Sequence, residues 1–407
     1  MADNNLSEGL SLLRQPNVGK MFIAYLTSYT GTAMAPIAMV FGVLELTGSA
    51  KDSAIVIAAP TIASIFVLLI GGALADRTSR QKIMVFADCL AMLSQFSMAA
   101  LFLTGLATVP LLTGLMLVNG IAVALNIPAA TGLIVQLGEK NQLQAINALL
   151  GSARSGAMAG GAALGGVLVA LFGAGVTLMI DAVSFGVSAI LILSLNPKSQ
   201  TQPAKASVLE DLRLGWKEFT SHTWLWTIVL QFSLVVAAIE AVFGLIGPAV
   251  SRDYMSGATD WGFIAGSFGV GTIVGGAVAI KINVKYPMRF ITVCVFFFSG
   301  IPLALAALLP VYWVVVTAFV AGVAGQIFAV IWYTTLQHKV PSHMLSRVSA
   351  YDHLGSIVLA PLGIVAAGFL YEAIGFRLTL YLAAITIILP TVAVLLVREV
   401  RVMTDSY

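Results

Sequence analysis

Apolar residues fall along this chain in long, nearly unbroken runs, without the alternation of half-buried strands or the one-sided stripe of soluble helices. Crossing the hydrocarbon of a bilayer takes about 20 predominantly apolar residues. Twelve stretches reach that length: 20–45, 53–75, 83–105, 109–135, 143–172, 174–195, 223–250, 259–281, 288–309, 311–335, 346–372 and 376–397. They predict an all-α membrane protein of twelve transmembrane helices. The first run begins near Lys20, is too long for a signal-peptide core and has no small-residue cleavage site behind it. It is expected to persist as the first helix.

The polar segments between runs are short, except 196–222, which carries Lys198, Lys205, Glu210, Asp211, Arg213, Lys217 and Glu218. This predicts an N-terminal six-helix bundle (1–195), a cytoplasmic linker (196–222) and a C-terminal six-helix bundle (223–407). A weak internal repeat supports the division: Gly166, Leu168 and Gly173 align with Gly368, Leu370 and Gly375 at an offset of 202 residues. Such a repeat implies two pseudo-symmetric halves in parallel orientation. Each half opens with a short amphipathic segment, one built on Leu6, Leu10 and Leu13, the other on Leu209, Leu212, Trp216 and Phe219. Both suit a helix lying on the cytoplasmic membrane surface; a plain soluble linker is the alternative.

Composition removes the soluble classes. The chain is 59% hydrophobic and 10% charged, where a soluble domain averages roughly 25% charged. A net charge of +3 gives no reason to expect a nucleic-acid partner; the bilayer is the expected surroundings. Charge placement orients the helices. With both termini cytoplasmic, seventeen Lys and Arg fall on the cytoplasmic side, and only Lys51, Arg252 and Arg377 on the other. Cys89 and Cys294 lie inside apolar runs, and His222, His338, His343 and His353 show no ligand spacing, so no metal or cofactor is expected. No phosphate-binding G-x-x-x-x-G-K-[ST] loop occurs, which argues against ATP-driven transport by this chain alone.

The strongest motif is GGALADRTSRQK, Gly71 to Lys82, between the second and third runs. Gly72 permits close helix approach, and Asp76 is placed to bind backbone amides at a helix N-terminus or to pair with Arg77 or Arg80. The cluster reads as a gating latch; the alternative is an ordinary positive cytoplasmic loop. The second half has no good copy: Gly275 to Arg289 keeps glycines and cations but no Asp. The loop resembles the signature of the major facilitator superfamily, matched by Gly72, Leu74, Ala75, Asp76, Arg77 and Arg80, with Lys82 displaced by one. Asp181–Phe185, Tyr333–Ser356 and Ala360–Gly375 resemble the twelve-helix exporter branch that includes the enterobactin exporter and macrolide-efflux proteins. The resemblance implies the major facilitator fold and export of an amphipathic small molecule against proton entry, by a monomer in the bacterial inner membrane. A nutrient uptake carrier is the alternative. A membrane-embedded enzyme would need a convergent His, Asp or Ser constellation, which the histidines do not supply.

Charges within the runs are expensive and are functional candidates by default. Asp88 and Arg154 lie at similar depth and form a candidate ion pair, either functional or structural. Glu240 has no cation nearby in sequence and leads the proton-carrier candidates; the alternative is a hydrated residue near the outer mouth. Asp181 lies two turns from the end of its run, and the resemblance gives it a structural or gating role. Asp352 and His353 read as interfacial. The resemblance places the first, fourth, seventh and tenth helices around a central cavity, making Tyr25, Tyr29, Asn119, Asn126, Gln231, Phe243, Gln326 and Tyr333 substrate candidates, with Trp332 beside them. Helix-to-helix hydrogen bonding for the amides and an interfacial belt for Tyr25 and Trp332 are the alternatives. Glycine pairs four residues apart (Gly156 and Gly160, Gly161 and Gly165, Gly262 and Gly266, Gly271 and Gly275) predict tight helix packing. Pro60, Pro128, Pro248 and Pro361 are candidate kinks.

Overall fold

The computed structural model describes residues 12–77, 79–137, 142–197, 208–279, 281–282, 284–341 and 344–404; within these, the side chains of 68–77, 144, 148, 208–212, 214 and 346 are left out. Every regular element among them is helical. In order they are α1 (Pro16–Thr47), α2 (Ala50–Arg77), α3 (Arg80–Thr104), α4 (Val109–Ile134), α5 (Leu143–Leu193), α6 (Val208–Ser221), α7 (Thr223–Ala241), α8 (Gly247–Tyr254), α9 (Ala258–Ala279), α10 (Pro287–Val295), α11 (Gly300–Ala306), α12 (Val311–Lys339), α13 (Leu345–Ile357), α14 (Ala360–Leu396) and α15 (Arg398–Val402). A π-helical turn joins α7 to α8, and a 3-10 turn joins α10 to α11. Helical stretches long and apolar enough to cross a membrane number ten among the described residues. Helices are the form a lipid-embedded chain must take, because each backbone N–H and C=O finds its partner within the segment. The outward faces carry large apolar side chains such as Phe66, Leu171, Ile190 and Leu396, which only lipid covers favourably.

Two of the ten stretches are bent. In α5, Gly173 takes φ 77°, ψ 176°, and in α14, Gly375 takes φ 81°, ψ 164°. A side chain is strained at such a φ, so glycine breaks each helix there. These are the two glycines that the sequence repeat aligns. The correspondence extends into the following turn: Thr177 Oγ1 donates to Gly173 O at 3.0 Å, and Thr379 Oγ1 to Gly375 O at 2.9 Å, again 202 residues apart. Each hydroxyl bonds back, four residues earlier, to the carbonyl that opens the following helical segment.

The chain divides into two compact units, one of Met1–Gly48 with Ile55–Ala204, the other of Ser49–Ala54 with Lys205–Tyr407. In the first, α1 and α3 pack along α5, and α4 on α3. In the second, α7 packs on α14 and α9 on α12. The first turn of α2 joins the second unit because Glu372 of α14 accepts from Ser49 Oγ at 2.6 Å and from Lys51 N–H at 3.1 Å. A carboxylate at a helix N-terminus is favourably placed against the dipole. In the linker, α6 rests Gly215 against Arg347 and Tyr351, with Phe219 buried and Trp216 half exposed, its ring 5.4 Å from Tyr351. Of the first amphipathic segment, Leu6 and Leu10 lie outside the described residues.

Close helix contacts are made where a side chain is missing. A Cβ on Gly120 of α4 would strike the backbone of Pro60, one on Gly161 the carbonyl of Thr30, one on Gly271 the carbonyl of Phe319, and one on Gly322 the carbonyl of Phe268. Gly165 and Gly275 are equally close to Met34 and Val323. Gly156 and Gly160 differ from the expectation: both face open space. They lie a quarter-turn off the packed stripe of α5, so four-residue spacing alone does not fix which glycine pair meets a neighbour. Of the candidate kinks, Pro60 and Pro128 lie inside helices, whereas Pro248 and Pro361 sit in first turns. Pro248 follows the π-helical turn with no break in the helix, and Pro361 follows α13 across two turn residues, so each missing N–H falls where the helical ladder is already interrupted. Pro36 and Pro390 also lie inside helices.

Adjacent glycines make the packing testable. Gly161→Ala is expected to lose about 1–3 kcal/mol through overpacking, lowering the melting temperature of the detergent-solubilised protein. Gly160→Ala is expected to be neutral, or to gain up to about 1 kcal/mol from helix propensity. Equal effects at the two positions would contradict this packing.

Candidate functional site

The motif loop is partly visible. The side chains of Asp76 and Arg77, and the surroundings of Gly72, lie outside what is described. Arg80 is described, and its Nη1 donates to Gly132 O at 2.8 Å, in the last turn of α4. Next to it, Gln81 Nε2 donates to the carbonyls of Ile192 (2.8 Å), Leu193 (3.1 Å) and Leu195 (2.8 Å) at the end of α5. Lys20 Nζ reaches Ser194 O at 2.8 Å, and Asn17 exchanges hydrogen bonds with the backbone of Asn196. The last carbonyls of a helix have no partner within it and attract positive charge. This end of the first unit is therefore held by side chains that cap α4 and α5.

Inside the same unit lies a cavity of about 200 Å³, lined by Tyr25 and Tyr29 of α1, Asp88 of α3, Asn126 of α4, and Arg154, Phe185 and Ser188 of α5, among others. Asp88 is almost fully buried. Its Oδ1 accepts from Asn126 Nδ2 at 3.0 Å and its Oδ2 from Ser188 Oγ at 2.7 Å. The expected Asp88–Arg154 ion pair is not formed: no Lys or Arg stands within 4 Å of Asp88 among the described residues. The two neutral donors already occupy both carboxylate oxygens, and Arg154 instead lies 5.1 Å above the Tyr29 ring. Tyr25 and Tyr29, one turn apart, meet edge to face at 5.2 Å. The cavity thus combines aromatic walls, a carboxylate clamped by neutral donors and an exposed guanidinium. Sequence reading named five of these residues, Tyr25, Tyr29, Asp88, Asn126 and Arg154, but not Ser188, which lies 100 residues from Asp88.

The second unit holds a pocket of about 180 Å³ between α7, α12 and α13. Its lining includes Phe232, Phe328, Trp332, Tyr333, Asp352 and His353. Four lining positions of the first cavity, Val123, Asn126, Ile127 and Arg154, map by the 202-residue offset onto Gly325, Phe328, Ala329 and Ser356, which line the second. Trp332, a cavity candidate with an interfacial belt as its alternative, lines this pocket together with Asp352. Both are buried, and Trp332 Nε1 donates to Asp352 Oδ2 at 3.0 Å. A buried indole N–H needs such an acceptor.

The other candidates are scattered. Asn119 is buried with its Nδ2 unpartnered, and Gln231 Nε2 donates to Thr391 Oγ1 at 2.9 Å with its Oε1 unpartnered. That bond between α7 and α14 fits a packing role. Phe243 meets Trp261 and Phe268 edge-on at 5.6 and 5.0 Å, and Gln326 lies against Gly275; none of the four lines either cavity. Glu240 is exposed, not buried, and makes no hydrogen bond among the described residues. Asp181 is fully buried against Gly31; Ser184 Oγ reaches its Oδ1 at 3.3 Å, and its Oδ2 has no partner. No metal-binding cluster of His, Cys, Asp or Glu occurs among the described residues.

Apolar helices long enough to cross a bilayer, packed around internal cavities, define a multi-pass membrane protein. Solved structures agree in fold: a nucleoside transporter, NupG, superposes with a TM-score of 0.76 at 12% identity, covering 93% of this chain and 99% of its own. A bacterial homologue of the lysosomal transporter Spinster gives 0.75 at 14% identity, covering 95% and 96%. Residues 7–406 match the major facilitator family described as transmembrane secretion effector, and the chain belongs to that family, which consists of transporters and not enzymes. Similar proteins include the multidrug efflux pump Tap of Mycolicibacterium fortuitum, 25% identical over 93% of this chain and 95% of that protein. The enterobactin exporter EntS of Shigella dysenteriae is 24% identical over 92% and 94%.

The clamp on Asp88 is testable. Asn126→Ala strips Oδ1 of its donor and is expected to cost about 1–3 kcal/mol. Ser97→Ala removes a hydroxyl that bonds only Leu93 O of its own helix and is expected to change stability by less than about 0.5 kcal/mol. Thermal unfolding in detergent separates the two; equal shifts would remove the clamp from the account.

Proposed function

We propose that this protein is a secondary active exporter of an amphipathic small molecule, exchanging it for protons by alternating access. In this reading it is a monomer in the bacterial inner membrane, both termini cytoplasmic. It has twelve crossings in two six-helix bundles, α5 and α14 each counting twice through their breaks at Gly173 and Gly375. The cavity of the first unit carries the reading. Its aromatic surface suits an amphipathic ligand, and Asp88 beside it is a titratable group in contact with the space a ligand would fill. Proton and ligand then compete for one carboxylate, which is the minimal device for antiport, because a site that favours either one gives up the other. The efflux activities named for the relatives support the direction.

Asp88 therefore takes precedence over Glu240 and Asp181 as the coupling group. Arg154, stacked on Tyr29, is assigned to ligand orientation. The Arg80 loop is assigned to gating, through release of the α4 carbonyl it caps. Asp181 is assigned a structural role against Gly31.

The test uses proteoliposomes and a fluorescent amphipathic dye. Asp88→Asn is expected to reduce pH-gradient-driven dye accumulation at least about tenfold while dye–dye counterflow persists, with an altered dye affinity, since exchange moves no net proton. Glu240→Gln is expected to retain gradient-driven transport. Full gradient-driven transport by Asp88→Asn would defeat the assignment.

A further inference from the structure

We propose that the pocket of the second unit is a binding site for an aromatic cation, either a small arylammonium or arylpyridinium or the corresponding end of a larger ligand. It deepens the export reading, on which its physiological use rests, by naming a ligand class.

Three observations converge. The first is the wall. Phe232 and Phe328 stack face to face at 4.7 Å with 5° between planes, and Phe328 continues to Trp332 at 6.0 Å and 14°. This is a ladder of nearly parallel rings. Offset stacking on such a surface favours a planar ligand, and the negative ring faces favour a cation. The second is the charge. Asp352 lines the pocket, is buried and is oriented by Trp332 Nε1 on Oδ2. No Lys or Arg lies within 4 Å of it among the described residues. An acid held in position by a neutral donor, with no cation of its own, is left to pair with a charge from outside. The third is position. The pocket occupies the repeat equivalent of the cavity around Asp88, yet its chemistry is reversed: where the first unit has Arg154, the second has Ser356, and the acid Asp352 stands one turn before it.

Size sets the ligand. A drug-sized molecule needs a site of roughly 300–1,000 Å³, and this pocket offers about 180 Å³. It admits one ring system with its charged nitrogen. His353 also lines the pocket, and in its protonated form it would oppose a cation.

Binding to the purified full-length protein in detergent tests the proposal without any transport assay. The probes are N-methylquinolinium, 1-methylnaphthalene as its neutral counterpart and 1-naphthoate as its anionic one. Isothermal titration is run at pH 8, where an ordinary imidazole is uncharged. The expected result is saturable quinolinium binding, about tenfold tighter than the neutral probe, with naphthoate weakest. Asp352→Asn keeps an acceptor for Trp332 and is expected to bring quinolinium to the affinity of the neutral probe. Equal affinity for cation and neutral probe in the unaltered protein would overturn the proposal, with no variant involved. Unchanged quinolinium binding in a folded Asp352→Asn protein would overturn it too. Ser97→Ala, outside both cavities, is expected to leave the quinolinium titration within about twofold; because the titration involves no transport, absent dye export with intact quinolinium binding fails the export reading alone.

Discussion

A chain surrounded by hydrocarbon has no solvent for its backbone, and everything in this structure follows from that constraint. Helices satisfy the backbone internally, and side chains then decide how closely two helices approach. Here the closest approaches are made by glycines set against bare carbonyls: Gly120 on Pro60, Gly161 on Thr30, Gly271 on Phe319 and Gly322 on Phe268. Gly120 and Gly322 are repeat equivalents, so both units use the same device at the same place. Lipid gives no hydrophobic reason for helices to associate, and contact of this kind supplies dispersion in its stead.

The same constraint governs polar groups. Helix ends release carbonyls, and in the first unit Lys20, Arg80 and Gln81 take them up. A buried carboxylate needs donors, and Asp88 has them in Asn126 and Ser188, from two different helices. Asp352 has Trp332. Once these needs are met, two groups stand out that have no oppositely charged partner within 4 Å among the described residues: the guanidinium of Arg154 in one cavity and the carboxylate of Asp352 in the other. These give the two pockets opposite chemical character on a shared repeat position.

Much of the fold was legible in the sequence because it depends on length and local chemistry. Runs of about 20 apolar residues locate helices, and the breaks fell at Gly173 and near Gly375 because each apolar stretch there is too long for one crossing and has a glycine near its middle. The repeat offset of 202, read from a few glycines and leucines, reappears in backbone angles and in the hydroxyls of Thr177 and Thr379. Side-chain partners were less legible. Similar depth made Asp88 and Arg154 look like an ion pair, but depth does not reveal Asn126 on α4 and Ser188 past the break in α5, which bond the two carboxylate oxygens. Trp332 was open to two readings, cavity or interfacial belt, because it lies near a helix end; its partner is 20 residues further on, across a turn. Gly160 and Gly161 share a motif and differ only in direction, which spacing does not encode. The signal that would have found the second pocket was already available: applying the offset to Asn126 and Arg154 gives Phe328 and Ser356.

The central claim is that this protein moves amphipathic molecules out of the cell. A susceptibility panel across antibiotics, dyes and siderophores, comparing a strain that lacks the chain with one that overproduces it, tests this most directly. The account predicts hypersensitivity to amphipathic compounds in the deletion strain, strongest for aromatic cations, and resistance on overproduction. A deletion strain of unchanged susceptibility that instead fails to grow on a particular nutrient would contradict export and establish uptake.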